Sequence, residues 1–149
     1  MSKKRTFVDV LMSGPKLPDD DVDELFRRPH YVHGIDHVQI AVPEGSEQRC
    51  RDFYLGIIEM IEIPRPEHGA GRSFLWVRVG EQEIHFRPDP TFEPARFAHP
   101  GFLVGNAEAL AARLEKAGYE VTREQAVGPG RFHTRDPFGN RLEFIESGR

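Results

Sequence analysis

The sequence has very little cysteine, and it lacks both an excess of positive charge and a long hydrophobic run. A single cysteine, Cys50, excludes a disulfide within the chain and any cysteine-based zinc cluster, and it favours a reducing compartment. The 20 Lys and Arg residues against 24 Asp and Glu give a net charge of −4, which argues against a general nucleic-acid-binding protein. No apolar run approaches the roughly 20 residues that a membrane span needs. We therefore expect a cytoplasmic protein without nucleic-acid or membrane partners.

The 149 residues are enough for one folded domain, and the chain divides into an extension and a body. Residues 1–33 contain Pro15, Pro18 and an acidic run at positions 19–21, and no chemistry is evident in them. We interpret residues 1–33 as an N-terminal extension and residues 34–149 as the domain.

One pattern of elements occurs twice within the domain, at about residues 34–88 and 98–146. In each half a strand is followed by a helix and then by three further strands. Ser46 and Asn106 are suited to begin the two helices, and Gly56 and Gly118 to end them. The repeat predicts an α+β fold in which two paired βαβββ modules form an open, cup-shaped mixed sheet.

Overlaying the two modules matches residues that commonly bind metals. His37 falls on His99 at the start of the first strand of each module, and His85 falls on Glu143 in the fourth strand. Because side chains alternate along a strand, each of these residues points away from its apolar neighbours. If the modules pair about a pseudo-twofold axis, the four side chains can converge on one divalent ion. Glu83 lies two residues from His85 and is the rival for the fourth position.

The chemistry of this set suits several metals. Imidazole and carboxylate groups bind Zn, Ni, Fe and Mn, so the sequence leaves the identity of the ion open. Three or four ligands on a rigid sheet leave coordination positions for substrate or water. His37, His99 and Glu143 alone make the pair of histidines and one carboxylate that Fe(II) oxygenases also use.

Four further residues are candidates for contacting a small-molecule substrate. They are aromatic, basic or imidazole side chains on strands that we expect beside the metal site, and each can alternatively be an ordinary packed or solvent-facing strand residue. They are Trp76, Arg78, Arg131 and His133. Among these, a histidine is also able to move a proton near neutral pH.

The end of the second module, together with His37 and His99, resembles the vicinal oxygen chelate superfamily. The matching stretch is Asp136-Pro137-Phe138-Gly139-Asn140-Arg141-Leu142-Glu143, and the resemblance covers about residues 34–146. The superfamily includes glyoxalase I, extradiol dioxygenases, fosfomycin-resistance thiol transferases, methylmalonyl-CoA epimerase and bleomycin-binding proteins. The stretches 82–86, 92–96 and 98–100 are similar to a bacterial glyoxalase-like subgroup. The resemblance implies metal ligands at His37, His85, His99 and Glu143, although glyoxalase-like members usually have Glu or Gln where this chain has His85.

The resemblance also implies a metal-dependent enzyme that acts on a small oxygenated substrate. Glu143, or Glu83 in its place, would be the catalytic group that moves a proton. A fourth protein ligand at His85 leaves two open positions on the ion, which favours lyase or isomerase chemistry over oxygen activation. An Fe(II) extradiol-type dioxygenase and a metal-poor drug-binding protein of the bleomycin resistance type are the alternatives. The resemblance and the exposed sheet edges lead us to expect a homodimer.

Overall fold

The computed structural model describes residues 34–66, 72–123 and 130–148. The N-terminal extension predicted for residues 1–33 lies outside these described residues. No helix in the described part of the chain is long and apolar enough to cross a membrane. In chain order the elements are β1 His37–Pro43, α1 Glu47–Arg51 continuing as a π-helix Asp52–Ile57, β2 Ile61–Glu62, β3 Leu75–Val79, β4 Gln82–Asp89, β5 Gly101–Val104, α2 Ala107–Lys116, β6 Val121–Arg123, β7 Arg131–Arg135 and β8 Arg141–Glu146.

The strands form two four-stranded sheets, one in each half of the domain. The strand orders are β1-β4-β3-β2 and β5-β8-β7-β6, so the second sheet repeats the order of the first. The first and fourth strands of each module run parallel, and the remaining neighbours run antiparallel. The predicted α+β fold of two βαβββ modules is therefore confirmed.

The second sheet buries alternate residues, and its other side chains carry part of the candidate site, whereas on β4 of the first sheet Ile84, His85 and Phe86 are all buried. On β8 the residues Leu142 and Phe144 are fully buried, whereas Glu143 between them is only partly covered. On β7 the buried Phe132 and Thr134 similarly flank a partly covered His133. This alternation is the period of two that a strand imposes, and it holds the polar residues on the face opposite the core.

Polar contacts also join the two modules. The hydroxyl of Tyr54, on the π-helix, donates to Oδ2 of Asp136 at 2.9 Å, and both groups are buried. The side-chain amide of Asn140 donates to the carbonyl of Ala41 on β1 at 3.0 Å. The turn between β7 and β8 is thus anchored to the helix and the first strand of the other module.

The first helix differs from the prediction at both ends. Ser46 makes no side-chain capping bond to the helix, and its hydroxyl donates instead to the carbonyl of Pro43. Gly56 does not end the helix, because the π-helix continues to Ile57 and the left-handed position falls on Glu59, with φ +64°. The capping prediction for Asn106 is confirmed, since its side chain accepts from the backbone N–H of Ala109 at 2.9 Å.

The position of His99 also differs slightly from the prediction. The fifth strand begins at Gly101, so His99 precedes the strand instead of starting it. The next residue, Pro100, has no N–H to donate to a neighbouring strand. Its carbonyl nevertheless accepts from the backbone N–H of Glu143 at 3.1 Å, which keeps the segment beside β8.

Candidate metal centre

The strand register gives the matched residues of the two modules the same relative positions. On β1, His37 lies two residues before Gln39, which pairs with His85 on β4. In the second module, His99 lies two residues before Gly101, which pairs with Glu143 on β8. The offset between histidine and partner is therefore the same in both sheets, as the sequence overlay predicts.

The second module brings His99, His133 and Glu143 into one cluster. The Nε2 atom of His99 lies 3.3 Å from Oε2 of Glu143, and Nε2 of His133 lies 3.6 Å from Oε1 of the same carboxylate. One possible ligand atom from each of the three residues lies within 4.8 Å of the other two. Among the described residues, this is the group of three potential metal ligands that lie this close together. Arg131 also contacts Oε1 of Glu143, through Nε at 3.3 Å.

The hydrogen bond at Nδ1 of His99 determines which ring nitrogen carries a proton. The Nδ1 atom of His99 lies 2.6 Å from the carbonyl oxygen of Phe97, which can only accept. Nδ1 therefore carries a proton, and a neutral His99 presents the Nε2 lone pair to Oε2 of Glu143. Two acceptors facing each other at 3.3 Å need either a second proton on the imidazole or a cation between them. A divalent ion meets this requirement, and a histidine held through its second nitrogen is the usual arrangement of a metal ligand.

The first module holds its residues in a stack of rings. The imidazole of His85 lies between the indole of Trp76, with ring centroids 3.6 Å apart, and the ring of His37, at 4.2 Å. Oε2 of Glu83 lies 3.1 Å from Nε2 of His85, while its Oε1 accepts from Arg78 at 2.8 Å. Both oxygens of Glu83 and the Nε2 atom of His85 are thus engaged within the protein, and which of the two residues is the fourth ligand stays open.

His37, like His99, has an oxygen atom within hydrogen-bonding distance of its Nδ1 atom. Its Nδ1 atom lies 2.8 Å from Oδ2 of Asp36, an arrangement that orients the ring and leaves Nε2 for another partner. The imidazole is partly exposed, with 43% of the side chain accessible, whereas His85 is buried.

The structure therefore divides the predicted site residues into two groups, one in each module. The first group is His37, Trp76, Arg78 and His85, and the second is His99, Arg131, His133 and Glu143. Within the described residues, His37 and His85 do not belong to the three-residue cluster around Glu143. Convergence of all four predicted ligands on one ion stays a prediction, and His133, which we expect beside the metal site, contacts the carboxylate of Glu143.

Sequence reasoning missed three arginines beside the second group. Arg49, Arg135 and Arg141 line a cavity of about 520 Å³ whose wall also includes His133. The overlay of the modules could have pointed to two of them, because Arg135 and Arg141 occupy the positions matched to Arg78 and Glu83.

The turn before β8 is built to hold Glu143 in place. Asp136 accepts hydrogen bonds from the backbone N–H groups of Phe138 and Asn140, from the Asn140 amide and from the Tyr54 hydroxyl. Burial raises the pKa of Asp136 above its ordinary value, against the opposing effect of these donors. Gly139 has φ +94°, and a Cβ there would lie 3.3 Å from Cγ of Pro94, so the turn requires glycine.

The family model described as Glyoxalase/Bleomycin resistance protein/Dioxygenase superfamily matches residues 34–144. The chain belongs to this superfamily. The resemblance carried by the Asp136–Glu143 stretch is thereby confirmed, together with the fold that it implies. A search among curated proteins finds no significant match.

Solved structures show the same relationship. A glyoxalase family protein from Bacillus anthracis is 45% identical, with a TM-score of 0.71, and the match covers 80% of this chain and 98% of that one. The lactoylglutathione lyase of Agrobacterium tumefaciens shares the fold at 14% identity and a TM-score of 0.58, covering 79% and 96% of the two chains. The fosfomycin resistance protein FosX of Listeria monocytogenes shares it at 15% identity and a TM-score of 0.61, covering 78% and 95%.

Proposed function

We propose that this protein is a metal-dependent enzyme of the glyoxalase-like type, with lyase or isomerase activity on a small oxygenated substrate. The observation that carries the proposal is the equal offset of His37 to His85 and of His99 to Glu143 in the two sheets. Such a repeat places four donors suited to Zn, Ni, Fe or Mn at equivalent points of two similar modules.

We propose further that the complete site forms between two copies of the chain. His37 and His85 of one copy would meet His99 and Glu143 of the other, because within the described part of one chain the two pairs belong to separate groups. A twofold axis would then create two identical sites in a homodimer. The partly exposed side chains of His37 and His99 are consistent with this arrangement.

The surroundings of Glu143 suit it to move a proton. Arg131 and His133 both contact Oε1, so they fix the orientation of the carboxylate and leave Oε2 on the side of His99. A divalent ion bound there would supply Lewis-acid stabilisation to the oxygens of a substrate. Glu143 would leave the ion, take the proton from the carbon next to the substrate carbonyl at Oε2 and return it to a neighbouring atom.

Hydrogen exchange tests this chemistry directly. The metal-loaded protein is incubated in D₂O with small 2-hydroxy ketones and with thiol adducts of 2-oxo aldehydes, and NMR follows deuterium entering beside the carbonyl. We expect exchange that is lost in Glu143→Gln and retained in Glu83→Gln. Exchange that survives Glu143→Gln, or no exchange and no turnover with any member of the panel, would contradict the proposal.

The second candidate is an Fe(II) dioxygenase, and the His99, His133 and Glu143 cluster favours it. Two histidines and one carboxylate from a single chain are the ligand set of many Fe(II) oxygenases. That function requires His133 to be a ligand, and it predicts oxygen consumption with catechols. The third possibility is a small-molecule-binding protein of the bleomycin resistance type, which would bind ligand without turnover. For each of these functions a cytoplasmic location stays a prediction.

A further inference from the structure

One matched pair of facing residues on the third and fourth strands carries different charges in the two modules. In the first sheet Arg78 on β3 pairs with Glu83 on β4, and Nη2 of Arg78 donates to Oε1 of Glu83 at 2.8 Å. The matched pair in the second sheet is Arg135 on β7 and Arg141 on β8. One module therefore places opposite charges across the strands, and the other places two positive charges there.

Two like charges directly opposite each other destabilise an antiparallel pair of strands. Within the described residues neither guanidinium is neutralised by an acid. Arg135 donates to the carbonyl of Gly139 at 2.6 Å, and Arg141 makes no hydrogen bond or ion pair with another described residue. The second sheet thus keeps two neighbouring guanidinium groups that repel each other, whereas the first sheet has an ion pair at the matched position. Such a pair of positive charges is expected where an anion binds.

The two arginines line a cavity together with His133, one residue of the candidate metal cluster. The cavity, of about 520 Å³, is bordered by Arg135, Arg141 and His133, and His133 contacts Glu143. Arg49 lines the same cavity, with its guanidinium held 5.7 Å above the ring of Phe138. A volume of this size accommodates a small metabolite.

The other charged groups on the cavity wall do not cancel the three arginines. Arg123 is bound to Glu108 and Glu115, so that group is neutralised. Asp136 is buried, and its carboxylate is occupied by protein donors. Glu120 is the remaining acid among the lining residues, so positive charge predominates.

We propose that Arg135 and Arg141, assisted by Arg49, bind an oxyanion group of the substrate. Guanidinium groups present paired donors that fit a carboxylate or a phosphate. This inference rests on the proposed function, because it takes Glu143 to act at the other end of the same molecule. Arg141 and Glu143 are two residues apart on one strand face, about 7 Å along the strand, so the anionic group lies a few bonds from the reacting carbon. The substrate class is a small oxygenated acid or phosphate ester.

Calorimetric titration with inorganic phosphate and with malonate tests the subsite. The full-length protein is used after removal of metal with a chelator and at constant ionic strength, so that neither anion can bind through a metal. The variants are Arg135→Gln, Arg141→Gln and Arg141→Lys, and Arg87→Gln is the control, since it removes one exposed positive charge from β4 outside the cavity. Arg141→Glu is the matched variant, because it restores the charge pattern of Arg78 and Glu83.

We expect saturable binding of at least one of the two anions, weakened at least ~10-fold by Arg135→Gln and by Arg141→Gln. We expect weaker binding in Arg141→Lys, because the paired donors are lost, and no binding in Arg141→Glu, which should melt at the wild-type temperature or above. The anion that binds more tightly identifies the group that the substrate carries. No saturable binding of either anion, or an equal loss in Arg87→Gln, would overturn the inference. Anion binding by the metal-free protein, together with no turnover by the metal-loaded protein, would refute the proposed function alone.

Discussion

The indole of Trp76 lies flat on the imidazole of His85, with ring centroids 3.6 Å apart and an angle of 8° between the rings. Trp76 is the one tryptophan of the chain. Its fluorescence therefore reports on whatever binds to His85.

We expect Ni²⁺ or Co²⁺ added to the metal-free protein to quench the fluorescence of Trp76, because the proposed site places the ion on the ring in contact with the indole. The titration should saturate at one ion per chain. In His85→Ala the quenching should disappear. Quenching of unchanged amplitude in that variant would mean that the ion binds elsewhere.

Mixing two inactive variants tests whether the site spans two chains. The double variant His37→Ala/His85→Ala and the double variant His99→Ala/Glu143→Ala should each bind no metal. A mixed dimer would contain one intact site, because the intact halves lie on different chains, so mixing after partial unfolding should restore metal to some dimers. Light scattering should give twice the 17.0 kDa of one chain. A mass of one chain, or no recovery of metal on mixing, would place the site within a single chain.

His133 distinguishes the two candidate enzyme functions. If His133 only orients Oε1 of Glu143, His133→Gln should lower the metal affinity by no more than ~10-fold, the smaller of the losses usual for residues that orient a ligand. Proton exchange should become slower in the same variant. Metal loss as large as that of His99→Ala would make His133 a ligand. Oxygen consumption with catechols would then be the activity to expect.

The buried contact between Tyr54 and Asp136 should stabilise the joined modules. Tyr54→Phe removes one donor from a carboxylate that keeps its other partners, so we expect unfolding to become easier by about 1–3 kcal/mol. Denaturant titration measures this change. Tyr119→Phe is the control, since the Tyr119 hydroxyl has no hydrogen bond to a described residue. Equal losses in the two variants would show that the hydrogen bond to Asp136 contributes nothing of its own.

The sequence was informative where the repeat and the strand period act together. Overlaying the modules is enough to predict that His37 and His99 share one position and His85 and Glu143 another, because the parallel register preserves their spacing. The extent of the first helix could not be predicted from Gly56, since the π-helix continues to Ile57 and the left-handed residue is Glu59.

Side-chain direction and partners were harder to infer. The hydrogen bond that Nδ1 of His99 donates to the carbonyl of Phe97 depends on a loop conformation that no periodicity indicates. The overlay matches Arg135 and Arg141 to Arg78 and Glu83, but the anion-binding role that we propose for them also depends on their pairing across β7 and β8.

The proposed site requires the protein to bind a metal ion through His99 and Glu143, and metal content shows whether it does. Elemental analysis is made on the purified wild-type protein after incubation with Zn, Ni, Fe(II) or Mn and removal of the excess, and on His99→Ala and Glu143→Ala treated in the same way. We expect one tightly held ion per chain in the wild type and an affinity at least ~10-fold lower in each variant. A wild-type protein that retains none of these ions, or variants that retain as much as the wild type, would contradict the proposed site.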